Sequence, residues 1–147
     1  MKVYIASPFF TEEELQNVYM TEEILSRRGF EVLSPRFYMD DSLPYGSEKW
    51  ATSIFKQDVK AINKSDFVVA LYYGMYSDSG TAWEIGYCYG IHKPLLVVCI
   101  AGGMDLNLME IIGNTDCIVT ADELNYYVFE KLWQKRPGKT YMPILAH

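Results

Sequence analysis

Apolar residues recur along this chain with two different periods, and the switches between them mark its elements. Lys2-Val-Tyr-Ile-Ala6 is a short β-rich run ending at Ser7-Pro8 and predicts a first strand. Leu15, Val18, Tyr19 and Leu25 then keep helical spacing up to Arg28, and Gly29 stops the helix. Thr11 followed by Glu14 fits a capping box, in which each side chain satisfies an orphan amide of the first turn. Phe30-Glu-Val-Leu33 predicts strand two, ended by Ser34-Pro35. Ser47 can cap a second helix carrying Trp50, Ile54, Phe55, Ala61 and Ile62 on one face. The run from Phe67 to Tyr73 is apolar throughout and reads as a buried parallel strand.

Past that strand, Asp78 and Ser79 are good N-cap residues for a helix running to about Ile91. Leu95 to Ile100 predicts strand four, Ala101-Gly-Gly103 a flexible turn, and Asp105 to Ile112 a short helix or helical turn. Cys117-Ile-Val119 predicts strand five. Thr120 or Asp122 then caps a last helix through Leu124, Val128 and Leu132. The tail after Pro137-Gly138, from Thr140 to His147, is short and apolar and receives no catalytic role. Strands alternating with helices give a parallel sheet covered on both faces. With right-handed crossovers the economical expectation is an α/β, flavodoxin-like three-layer fold with a five-stranded parallel sheet. Residues 1–147 read as a single domain without internal repeat or linker.

Composition narrows the partners. Half of the 147 residues are apolar and 15% are aromatic, enough for a full core without disulfide or metal. The net charge of −6 argues against nucleic acid, whose phosphates call for clustered Lys and Arg. Cys88, Cys99 and Cys117 have no metal-like spacing and read as reduced, buried thiols. No apolar run reaches membrane-spanning length and no signal segment opens the chain, so a cytoplasmic protein is expected. His92 and His147 have no partners at ligand spacing, which sets metal catalysis and a Ser-His-Asp arrangement aside. Neither a metal nor a cofactor is expected.

What remains is carboxylates among aromatics. Asp78-Ser-Gly-Thr-Ala-Trp-Glu84-Ile-Gly86 follows the third strand and opens a helix, at the end of an open sheet where ligands bind. Gly80 lets the backbone approach a ligand. Glu84 and Asp78 at one corner suit acid–base or nucleophilic work. Asp58, four residues from both Ile54 and Ile62, falls on an apolar helix face and needs a partner or a cleft. Asp66, at the opposite end of the sheet, reads as structural. The aperiodic stretch Arg36–Gly46, rich in aromatics, reads as a lid or binding loop. Close carboxylates suit chemistry at an anomeric carbon, where positive charge develops.

Four segments taken together resemble the nucleoside 2-deoxyribosyltransferase family. They are Val3-Tyr-Ile-Ala-Ser-Pro-Phe-Phe10, Trp50-Ala-Thr-Ser-Ile-Phe-Lys-Gln-Asp58, Asp78 to Gly86, and Leu106-Asn-Leu-Met109. The resemblance implies transfer of 2-deoxyribose between purine or pyrimidine bases, with deoxynucleosides and free nucleobases as the partners. It implies Glu84 as the nucleophile that forms a covalent deoxyribosyl-enzyme, in a double displacement with net retention. Asp78 would handle the proton on the leaving or entering base, Asp58 would orient the base or the site's hydrogen bonds, and Tyr4 would hold the nucleophile in line. Phe10 and Trp50 would wall the base pocket. Asn107 and Met109 match residues supplied by a neighbouring subunit, which implies a hexamer or other dimer-based homo-oligomer with shared sites. The alternatives are a hydrolase of deoxynucleoside 5′-monophosphates with the same fold, or a non-catalytic nucleotide-binding module. Ser7-Pro-Phe-Phe-Thr11 followed by three glutamates would repel a phosphate and favours unphosphorylated nucleosides.

Overall fold

Five strands pair in parallel in the order β2-β1-β3-β4-β5, the flavodoxin-like order expected. They are β1 (Lys2–Ala6), β2 (Glu31–Leu33), β3 (Phe67–Tyr72), β4 (Leu95–Cys99) and β5 (Asp116–Ile118). The helices are α1 (Glu12–Arg27), α2 (Glu48–Lys64), α3 (Ser79–Gly90), α4 (Leu108–Ile112) and α5 (Lys131–Gln134), with 3-10 turns at Pro35–Phe37 and Ala121–Asn125. This is a computed structural model that describes residues 1–74, 77–100, 107–118 and 120–135. The expectations for Ala101–Gly103, Asp105, Val119 and the tail past Lys135 lie outside those residues.

Alternation along the strands divides the core in two. Val3, Ile5, Phe67, Val69 and Leu71 face one way and pack with Val18 and Leu25 of α1, Phe129 and Leu132. Tyr4, Ala6, Val68, Ala70 and Tyr72 face the other way and meet Ile62 of α2, Ile85 and Cys88 of α3 and Ile111 of α4. Each fully buried aliphatic or Phe side chain contributes about 1.5–3 kcal/mol, so both faces hold the sheet.

Local signals fix most helix starts. Thr11 Oγ1 accepts from the Glu14 amide at 3.2 Å, and Glu14 Oε2 accepts from the amides of Thr11 and Phe10 at 3.0 and 2.8 Å. Gly29 ends that helix with φ 87°, a conformation that favours glycine. Ser47 caps α2 by accepting from the Trp50 amide. Asp66 accepts from the Lys2 amide at 2.6 Å at the amino end of the sheet, a structural role as expected.

Four expectations are corrected. Strands β2, β3 and β4 are each one residue shorter than their apolar runs, while β5 starts one residue earlier, at Asp116. Phe55 is not on the buried face of α2: it is 54% exposed and meets Trp83 edge-on. Cys117 is partly exposed, its sulfur 3.6 Å from that of Cys99. The last helix is broken into a 3-10 turn and the short α5. Arg28 Nη1 donates to the carbonyls of Leu124 and Tyr127 at 2.8 and 2.6 Å, and these are acceptors that a continuous helix would use internally.

Candidate active site

The carboxylates singled out above come from different elements and converge on the α2–α3 side of the sheet. Tyr4 stands in β1, fully buried, in register with Leu33 and Val68. Its hydroxyl donates to Glu84 Oε1 at 2.5 Å, a short contact that joins β1 to α3. Asp58, on α2, accepts at Oδ1 from the Tyr38 hydroxyl at 2.8 Å. Tyr4 also stabilises the Asp58 carboxylate by hydrogen bonding. Two phenols and two carboxyls therefore form one network drawn from β1, the loop before α2, α2 itself and α3.

Burial sets the electrostatics. It pushes the Glu84 carboxyl up to about 8; the Tyr4 hydrogen bond works against this, and the neighbouring Asp58 and Asp78 charges add to it. Asp58 is likewise raised by burial, with the Tyr38 and Tyr4 hydrogen bonds offsetting part of the effect. Both phenols are raised well above the ordinary tyrosine range, by burial first and by the adjacent carboxylates next. They stay protonated and act as donors. A carboxyl that holds its proton near neutrality suits proton transfer, and one that loses it inside a dry corner makes a strong nucleophile.

Asp78 sits at the N-cap of α3, where the sequence puts it. Its Oδ2 accepts from the Thr81 amide at 2.9 Å and lies 3.2 Å from the Thr81 hydroxyl. Gly80 has a reason closer than any ligand. A Cβ there would lie 2.9 Å from Asp78 Oδ2, so the missing side chain makes room for the capping carboxylate.

The other expected site residues lie outside the bonded network. Phe10 is 75% exposed and stacks on Phe9 near the carboxyl end of β1. Trp50 is partly buried and packs against Tyr45 of the aromatic loop. Asn107 caps α4 with its side-chain oxygen on the Met109 amide, and its own amide donates to the Tyr72 hydroxyl at 2.7 Å. Met109 projects outward, 85% exposed. Sequence reasoning missed Tyr38 as an individual residue, although it marked the loop that begins there. It also missed Tyr72, whose buried ring supports the Asn107 segment. Among the described residues, no three His, Cys, Asp or Glu side chains gather as a metal site requires. No helix there is long and apolar enough to cross a membrane.

Comparisons with known proteins point one way. A family profile described as nucleoside 2-deoxyribosyltransferase matches residues 3–119. The nucleoside deoxyribosyltransferase of Limosilactobacillus fermentum is 28% identical over 107 residues, which cover 66% of this chain and 64% of that protein. The match thus spans a little under two thirds of that relative's length. Among solved structures, the 2-deoxyribosyltransferase of the psychrotolerant Bacillus psychrosaccharolyticus superposes with a TM-score of 0.83 at 34% identity, covering 90% of this chain and 96% of its own. A CMP N-glycosidase of Clostridium botulinum covers 91% of this chain and 99% of its own, with a TM-score of 0.58. At 22% identity it shares the fold alone.

Proposed function

Because this chain belongs to the nucleoside 2-deoxyribosyltransferase family, we propose that it exchanges the base of 2′-deoxynucleosides through Glu84. The observation that carries the reading is the Tyr4–Glu84 contact: a partly buried carboxyl at the strand-to-helix corner, aimed by a buried phenol. In the first half-reaction a Glu84 oxygen attacks C1′ and the C1′–N bond breaks. The bonding pair leaves with the base, and the base takes up a proton. In the second, a nitrogen of the incoming base attacks C1′, its proton is removed, and Glu84 departs as carboxylate. Two inversions give net retention, and the carboxylates around C1′ stabilise the positive charge that develops there.

The proton is assigned to Asp58 rather than Asp78. Asp78 Oδ2 accepts from the Thr81 amide and lies near the Thr81 hydroxyl, which ties this carboxyl to the cap of α3. Asp58 is raised toward the protonated form by burial, which its hydrogen bonds to Tyr38 and Tyr4 only partly offset, as a general acid needs. Asp78 then anchors the corner and adds negative charge beside Glu84.

Unphosphorylated substrates are supported by the start of α1. The Phe10 and Thr11 amides, which would otherwise offer an anion site, are both taken by Glu14. Glu12 and Glu13 stand beside them. Phe10 and Trp50 remain the proposed walls for the base. The exposed Met109 beside Asn107 fits a residue offered to a neighbouring copy, in a homo-oligomer whose sites are shared.

The test is to incubate the protein with 2′-deoxyinosine and adenine, then with thymidine and adenine, without phosphate, and to separate the products. Formation of 2′-deoxyadenosine is the expected result, and the two donors separate a purine-only enzyme from a general one. Release of free base and deoxyribose alone would replace transfer with hydrolysis.

A further inference from the structure

One hydrogen bond reaches the site from neither the sheet nor the helices that carry its carboxyls. Tyr38 follows the 3-10 turn Pro35–Phe37, and its hydroxyl donates to Asp58 Oδ1. The turn itself is pinned from behind. Arg36 makes a two-point ion pair with Glu22 of α1, Nε to Oε1 at 2.7 Å and Nη2 to Oε2 at 2.5 Å. Glu22 is only 7% exposed, and the guanidinium also lies over the rings of Tyr19 and Phe37 at 4.7 and 4.5 Å. A fork-to-fork pair fixes direction as well as distance. Past Tyr38 the chain turns outward, and most residues from Met39 to Gly46 are exposed. Tyr38 thus stands where a fixed anchor meets an open loop.

We propose that Tyr38 is a positioning residue: it ties down Oδ1 of Asp58 and so sets how this carboxyl meets the nucleobase, with the Arg36–Glu22 pair as its anchor. The nucleobase rests on the transfer reading, while the tether rests on geometry alone. A carboxyl already held by phenols offers a base fewer points of contact than a free two-point edge. One contact can be met by a ring nitrogen or by an exocyclic amine. Recognition of this kind admits bases of different outline and takes its selectivity from the aromatic walls. The groups that face Asp58 are Tyr4 from β1, Tyr38 from the loop and Glu84 from α3.

Tyr38→Phe deletes the hydroxyl and keeps the ring. Carboxyl carbon NMR of protein labelled at aspartate, with Asp58 identified by its loss in Asp58→Asn, reads the tether directly. In Tyr38→Phe the Asp58 resonance is expected to titrate at higher pH, because the anion has lost a donor. The KM for the acceptor base should rise by about tenfold or more, the worth of one hydrogen bond to a charged group, with a smaller change in kcat. Arg36→Lys keeps the charge without the fork and should move both readouts the same way by less. Unchanged Asp58 titration and unchanged base KM in a folded Tyr38→Phe would overturn the proposal. Should the wild-type protein transfer no base at all, the transfer reading falls, while the NMR titration still decides the tether.

Discussion

The two faces of the sheet are built from alternate residues of the same strands, yet they differ in kind. On the α1 side, Phe30, Phe67 and Phe129 meet edge-on or tilted, with ring centroids 4.9–5.2 Å apart, and Arg28 lies over Phe129. On the α2–α3 side the neighbouring positions are Tyr4, Ala6, Ala70 and Tyr72. Small side chains leave room there, and phenols bring donors to half-buried carboxyls. One face is built of packed aromatic rings, the other of small side chains and phenols that reach carboxyls.

The largest expected effect strikes the second face. Glu84→Ala should lower base exchange by at least about four orders of magnitude, as loss of a nucleophile does. Circular dichroism and melting temperature should show a folded protein, and exchange at even one per cent of wild type would remove Glu84 as the nucleophile. The mirror experiment is Phe129→Ala on the first face. It should cost about 3–5 kcal/mol of unfolding free energy in denaturant titrations. Its kcat, measured on the folded fraction, should stay within about threefold of wild type, since Phe129 touches no part of the site.

A third prediction turns on the sign of a linkage. The Glu84 carboxyl is held at about 8 in the folded protein against an ordinary value of 4.5, so between those pH values the folded state keeps a proton that the unfolded chain has lost. Stability from this residue therefore falls as pH rises from 4.5 through 8, by up to about 1.4 kcal/mol per pH unit. Glu84→Gln, which cannot ionise, should melt close to wild type at pH 4.5 and clearly above it at pH 8.5. Equal melting differences at both values would mean that Glu84 is ionised in the resting protein. For the same reason kcat/KM should climb as pH approaches 8.

Gly80→Ala is the finest probe. The new methyl group meets Asp78 Oδ2 at 2.9 Å, so the carboxylate must swing off the Thr81 amide. Loss of the cap is worth about 1 kcal/mol and is nearly offset by the gain of alanine in a helix. Stability should hardly change while exchange drops several-fold. Unaltered kinetics would mean that the corner tolerates a displaced Asp78.

Much of this was readable in the sequence because the signals are local. Thr11 and Glu14 cap one another three residues apart, and Asp58 declares itself by sitting between Ile54 and Ile62 on an apolar stripe. The run Lys2–Ala6 ends where β1 ends. What escaped depends on distant partners. Nothing near Leu124 announces that Arg28 will take its carbonyl, so the helical spacing of Leu124, Val128 and Leu132 misled. Tyr38 lies in an aperiodic loop and gains its position from Glu22, on another element. Charge pairs and long hydrogen bonds leave no period behind.

Tyr4 occupies the middle of β1, paired with Leu33 on one side and Val68 on the other. Side chains in a strand point alternately up and down, so a slip of β1 by a single residue would send the phenol to the opposite layer. Val3 or Ile5, which can donate nothing, would then face Glu84. On the proposed role of Tyr4 and Glu84, turnover would be an assay of strand register: a chain collapsed with its first strand out of step would be silent, however native its helix content. Refolding followed by activity and by circular dichroism in parallel would separate the two populations.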